Sequence, residues 1–220
     1  MNTESSTPST PLFQRLFLAV FVLMVLLIFA GIIRYAREQR RSMPKPPSVM
    51  GDIGAFSLTE RSGRIVQRED LRGKVWIADF IFINCAGPCP LMTSRMAALQ
   101  KTLTDFPDTR LVSFSVDPER DTPQALTEYA EKFQADKAKW IFLTGDKTAI
   151  YTLIQNSFLL SAGETTAEQR QQPGADVVFH STKFALVDKR GRLRGLYDSE
   201  QSDQLDKLVR DVGTLLAEKH

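Results

Sequence analysis

The sequence predicts an α/β domain, a central mixed sheet flanked by helices, carried behind one N-terminal transmembrane helix. Three observations predict it. "LFLAVFVLMVLLIFAGII", Leu16 to Ile33, holds no charge and no amide. "KVWIADFIF", Lys74 to Phe82, is almost continuously apolar, as a strand covered on both faces must be. From there strand-like and helix-like stretches alternate and end in a hairpin and a helix, the order of a sheet with helices on both faces.

The N-terminal run, as a helix rising about 1.5 Å per residue, spans most of a hydrocarbon core about 30 Å thick. A cleaved signal peptide is the rival, but its apolar region is shorter and ends at small residues, whereas Arg34, Tyr35 and Arg37 follow here. The chain therefore divides into a tail over 1–15, an anchor over 16–33, a proline-rich linker over 34–51 containing "SMPKPPSVMG", and a folded domain over 52–220. Arg15 alone precedes the anchor, and Arg34, Arg37, Arg40 and Arg41 follow it. Taken literally, that charge bias places the domain in the cytoplasm, although long domains translocate largely regardless of flanking charge. The 220 residues carry a net charge of only +2 without a dense Lys/Arg stripe, which excludes nucleic acid as a partner.

Within the domain, "AFSLTE", the turn "RSGR" and "IVQ" form a small hairpin. After "KVWIADFIF", Pro90 suits a first helical turn, and Leu91, Met92, Met96, Leu99 and Leu103 recur at helical spacing as core positions. "RLVSFSV" is the second strand of the alternation. Thr122 and Pro123 open the helix behind "DPERDTP" as N-cap and first residue. "WIFLTG" is a strand, and Asp146 stands near the start of the helix that follows. "SAGETTAEQRQQPGAD" is polar and aperiodic, an excursion from the packed elements. "VVFHSTKFALVD", the turn "KRGR" and "LRGLYD" make the closing hairpin, and the last residues an amphipathic helix.

The two cysteines of the chain, Cys85 and Cys89, lie in "FIFINCAGPCP", where the apolar strand ends and a helix begins. Positions four apart share one helical face at about 6 Å between Cα atoms, a spacing that suits one shared metal ion or a disulfide. The helix N-terminus behind Cys89 favours its thiolate. A structural bridge or two inert buried thiols are the plain alternatives. Of the two histidines, His220 is terminal, which leaves His180 at the start of the closing hairpin. Two thiolates and an imidazole form a soft set suited to copper, whereas a structural zinc site is closed by four ligands and no further cysteine or histidine exists here. Asp117, Pro118, Arg120, Asp121 and Pro123 are explained by turn formation and helix capping. Asp79, inside the apolar strand, needs a hydrogen-bond partner or tunes the thiols.

"FIFINCAGPCP", "VDPERDTP", "WIFLTG" and "HSTKFALVD", in that order behind one anchor helix, resemble the Sco/SenC family of copper-binding proteins that help assemble cytochrome c oxidase. The resemblance covers Asp52 to the C-terminus, and C-x-x-x-C-P with a downstream H-x-T-x-F is its most specific part. It implies a thioredoxin-like fold on which Cys85, Cys89 and His180 bind one copper ion, as Cu(I) or Cu(II). It also implies a single-pass membrane protein with an extracytoplasmic, periplasmic domain, against the charge bias. The implied partners are the copper-containing subunit of the oxidase and a thiol reductant or another copper chaperone. The rival is a membrane-tethered thiol-disulfide oxidoreductase using Cys85 and Cys89 as its redox-active pair. Against it, thioredoxin-type reductases space their cysteines one residue closer. The peroxidatic pattern P-x-x-x-T/S-x-x-C is also absent before both Cys85 and Cys89, with Ala78 and Phe82 in the proline and hydroxyl positions for the former.

Overall fold

The computed structural model describes residues 12–42, 45–85, 87–160 and 181–218. It divides into two compact units, Met1–Lys45 and Pro46–His220. The first is a helix, α1 (Leu12–Ser42), whose segment Leu16–Arg34 has a mean hydropathy of 3.3 and is long and apolar enough to cross a membrane. The helix continues to Ser42, so the start of the segment read as linker is helical.

The second unit is built on one sheet of eight strands in the order β1-β8-β7-β4-β5-β6-β2-β3. The strands are β1 (Gly51–Asp52), β2 (Ser57–Glu60), β3 (Ile65–Gln67), β4 (Val75–Ile81), β5 (Thr109–Ser115), β6 (Trp140–Thr144), β7 (Lys183–Val187) and β8 (Arg192–Asp198). Between them lie α2 (Cys89–Thr102), α3 (Pro123–Lys132) and α4 (Lys147–Ser157), and α5 (Ser202–Ala217) ends the fold. β4, β5 and β6 are parallel, and β7 joins β4 antiparallel, which makes the sheet mixed and the fold thioredoxin-like, as the resemblance implies.

Every residue of β4 is buried, because the sheet is covered on both faces. Trp76, Ala78 and Phe80 turn to one core with Phe114, Phe158 and Ile154. Val75, Ile77 and Ile81 turn to the other with Met92, Met96, Leu99, Tyr129, Trp140 and α5. The capping residues act as their types dictate: the Thr122 hydroxyl accepts from the Ala125 N–H at 3.2 Å and the Asp146 carboxylate from the Ala149 N–H at 2.7 Å. Gly191, at φ 80°, closes the β7–β8 turn in a conformation a side chain would strain.

One buried arginine ties three parts of this unit together. Arg194 on β8 donates to Asp188 Oδ2 at 2.7 Å, to Glu218 Oε2 at 2.8 Å and to the Pro47 carbonyl at 2.8 Å, while its own side chain is 4% exposed. Arg194→Ala leaves the fully buried Asp188 with Arg192 as its remaining cation. Breaking a pair buried this deeply is expected to cost about 3 kcal/mol, read by urea unfolding of the detergent-solubilised chain. A loss below half of that would show the pair to be screened.

Candidate functional site

The site begins where β4 stops. After Ile81 the chain leaves the sheet at its C-terminal edge, the edge at which open α/β sheets bind ligands, and reaches Cys85. It re-enters regular structure at Cys89, the first residue of α2, with Pro88 at the N-cap and Pro90 in the first turn, where no N–H is needed. Both cysteines are free thiols and both are buried, at 8% and 3% exposure. The Gly87 N–H donates to Cys85 Sγ at 3.4 Å.

Helix position and burial act oppositely on Cys89. The helix N-terminus was expected to favour its thiolate, but burial pushes the thiol well above the ordinary range, with the adjacent Cys85 adding to the shift. Removing a thiolate from water outweighs the partial charge of one helix end. Cys89 is thus protonated at rest and gives up its proton when it takes a metal or is oxidised.

Beneath the thiols lies a buried polar layer on the α2 side of the sheet. Thr93 Oγ1 donates to the Cys89 carbonyl at 2.8 Å and shares a 2.8 Å hydrogen bond with Tyr129 Oη, whose phenol burial raises to about 12. Trp140 Nε1 donates to Ser113 Oγ at 2.9 Å, and Ser113 stands opposite Asp79 in the β4–β5 register. Asp79 is fully buried, and among the described residues neither of its oxygens has a hydrogen-bond partner. Burial raises its carboxyl to about 7, against a smaller downward pull from Ser113. The partner expected for this carboxylate is therefore missing, and neutralisation takes its place.

The segment between β5 and α3 does more than turn and cap. Asp121 is 1% exposed, and its Oδ2 accepts from Ser115 Oγ at 2.7 Å and from the Ile83 N–H at 3.2 Å. Burial raises the Asp121 carboxyl, and these two donors pull it back. Turn formation and helix capping, which explain Asp121 from its sequence neighbours, leave the bond to Ile83 out. The signal that carries it is topological: loops that follow adjacent parallel strands are neighbours, and β4 and β5 are adjacent. Met92 and Met96 are core residues, at 1% and 0% exposure, as their helical spacing predicts.

Thus Cys85 and Cys89 come together as read. His180 lies outside the described residues, as does the polar excursion before it; β7 itself begins at Lys183, three residues beyond that histidine.

A match to the SCO1/SenC family covers residues 47–217. The SCO1 protein homolog of Bacillus subtilis (strain 168) is 36% identical over 163 residues, spanning 73% of this chain and 81% of its own. Two solved structures share the architecture. One, described as a disulfide switch in BsSco, a member of the Sco family of cytochrome c oxidase assembly proteins, is 32% identical with a TM-score of 0.67, over 80% of this chain and all of that one. The other, Arabidopsis thaliana ScoI with copper bound, is 27% identical with a TM-score of 0.60, over 74% of this chain and 98% of that one. With the match running across nearly all of the second unit and a C-x-x-x-C pair seated where β4 gives way to α2, the chain belongs to the SCO1/SenC family.

Proposed function

We propose that the chain is a membrane-anchored copper chaperone that binds one copper ion through Cys85, Cys89 and His180 and supports maturation of the copper centre of cytochrome c oxidase. The observation that carries this reading is the buried pair of free thiols, four positions apart in the chain and adjacent in the fold, beyond the C-terminal end of β4. Family membership and the copper-bound relative support it. Soft thiolate sulfur with a neutral imidazole suits copper, and two cysteines with a histidine complete a trigonal set for Cu(I). The length and apolar composition of α1 support the anchor, and the family supports an extracytoplasmic domain served by a thiol reductant or a second copper chaperone. Protease digestion of the domain in intact spheroplasts would contradict that location if the domain were protected.

The same thiols also support the second reading, thiol-disulfide exchange, which the disulfide switch described for BsSco favours. The two readings meet in one prediction: oxidation of the pair removes both thiolates, so copper and disulfide exclude each other. The test loads the detergent-solubilised chain with Cu(I), competes it against a calibrated chelator and counts thiols in parallel. Wild type should retain one copper per chain. Retention should rise with pH, because Cys89 must lose the proton that burial holds on it. His180→Ala should bind copper at least on the order of tenfold more weakly while forming the disulfide normally, since loss of a ligand costs no less than loss of an outer partner. Equal retention by the two proteins would remove His180 from the site. No stoichiometric copper in the reduced wild type would leave thiol-disulfide exchange as the function.

A further inference from the structure

The peptide between strand and cysteine loop is held from a different part of the chain. Ile83 lies two residues before Cys85, just beyond the last residue of β4, so its peptide sets the direction in which the loop departs. Its N–H is received by a carboxylate from the β5–α3 segment, Asp121, at 3.2 Å to Oδ2 and 3.4 Å to Oδ1. That carboxylate is itself held. Ser115 Oγ donates to its Oδ2 at 2.7 Å, and the Asp121 N–H donates to the Asp117 carbonyl at 2.9 Å. The Ser115 hydroxyl in turn accepts from the Asp117 N–H at 3.2 Å. The Val116 N–H donates to the Ile81 carbonyl at 2.9 Å, so the two segments are joined one step earlier as well. Local needs do not account for this carboxylate: the helix that follows is capped by Thr122, and Asp121 points away from it at the cysteine loop.

We propose that Asp121 is a positioning residue for the Cys85/Cys89 site, fixing the departure of the cysteine loop through the Ile83 peptide, with Ser115 holding the carboxylate in place. The inference rests on the copper reading for one of its two readouts only. Two sulfurs act as a pair, toward a metal or toward each other, in proportion to how well they are held together. Freeing the Ile83 peptide therefore weakens both copper binding and the intramolecular disulfide. An Asn at 121 can place its amide oxygen where Oδ2 stands, accepting from Ser115 and Ile83 as before, without the charge.

The experiment uses the full chain in detergent, with Asp121→Ala, Asp121→Asn and Ser115→Ala beside wild type. It reads Cu(I) retention against a chelator, the Cys85–Cys89 disulfide equilibrium against reduced and oxidised glutathione, and urea unfolding. Asp121→Ala is expected to lower copper affinity by at least about tenfold, the scale seen when partners that orient ligands are removed, and to lower the disulfide equilibrium constant several-fold. Asp121→Asn should restore most of both. Ser115→Ala should move both in the same direction by less, and it serves as the decisive variant should Asp121→Ala not fold. A chain with unchanged copper affinity and disulfide equilibrium but lower stability would overturn the proposal and leave Asp121 as scaffold. Equal effects of Ala and Asn would also overturn it, by assigning the effect to charge. If wild type binds no copper, the glutathione equilibrium still decides, so failure of the copper reading and failure of this one are separate results.

Discussion

Asp79→Asn should raise the stability of the chain at pH 8 by up to about 4 kcal/mol relative to its effect at pH 4. The wild-type carboxyl sits at about 7 in the fold against an ordinary 3.8, with burial as the cause. Below about pH 4 it is protonated in folded and unfolded chains alike and contributes no pH dependence. As pH rises from there the unfolded chain ionises while the folded one stays neutral, so stability falls at up to about 1.4 kcal/mol per unit. The fall ends as the folded carboxyl itself ionises near 7, and the accumulated deficit remains above that. Asn is neutral throughout and carries none of it. Because Asp79 is fully buried, solvent screening does not reduce the effect. Urea unfolding of both proteins across pH 4 to 8 measures it. A difference between them that does not change with pH would show that Asp79 finds a partner for its charge in solution.

The second large effect lies on the other face of the sheet. Phe114 is fully buried and stands at the centre of an aromatic cluster, with ring centroids 5.5 Å from Phe80, 5.7 Å from Phe56, 5.7 Å from Phe158 and 6.5 Å from Trp76. Phe114→Ala removes a ring that four others pack against, and rings held on β4, ahead of β2 and at the end of α4 cannot all close in on the space. A loss of about 4 kcal/mol is expected in urea unfolding, near the upper range for a buried phenylalanine. Copper stoichiometry at low temperature should not change, because the cysteines belong to the opposite core. A loss near 1 kcal/mol would mean that the cluster repacks.

What the sequence makes legible is local. β4 announces itself as an almost continuous apolar run, Thr122 and Asp146 as caps, and Cys85 and Cys89 as a pair suited to a shared metal ion or a disulfide. The sheet order is not local. β2 and β3 fold early in the chain yet lie beyond β6 at one edge, while β1 takes the other edge beside β8. Register between distant strands depends on which faces bury each other, and no short pattern encodes that. The Asp121 bond to Ile83 was hidden for the same reason: 38 positions separate the partners, and only the adjacency of β4 and β5 joins them. The Cys89 thiol misled because a helix N-terminus is visible in sequence and depth of burial is not.

The Arg194 clamp also determines how the domain bears mechanical load. A pull on the chain ahead of Pro46 meets the Pro47 carbonyl on Arg194 and the Met50 N–H on the Leu193 carbonyl before it meets anything else in the sheet. Leu193 pairs with Val187, and Val187 with Trp76, near the start of β4. From Trp76 to the end of that strand is roughly 16 Å of extended chain, and the cysteines lie beyond it. Tension therefore enters at the far end of the sheet and spreads sideways through paired strands. Arg194 sits first on that path through its bond to Pro47, and the loop bearing Cys85 and Cys89 lies at the opposite end of β4 from it.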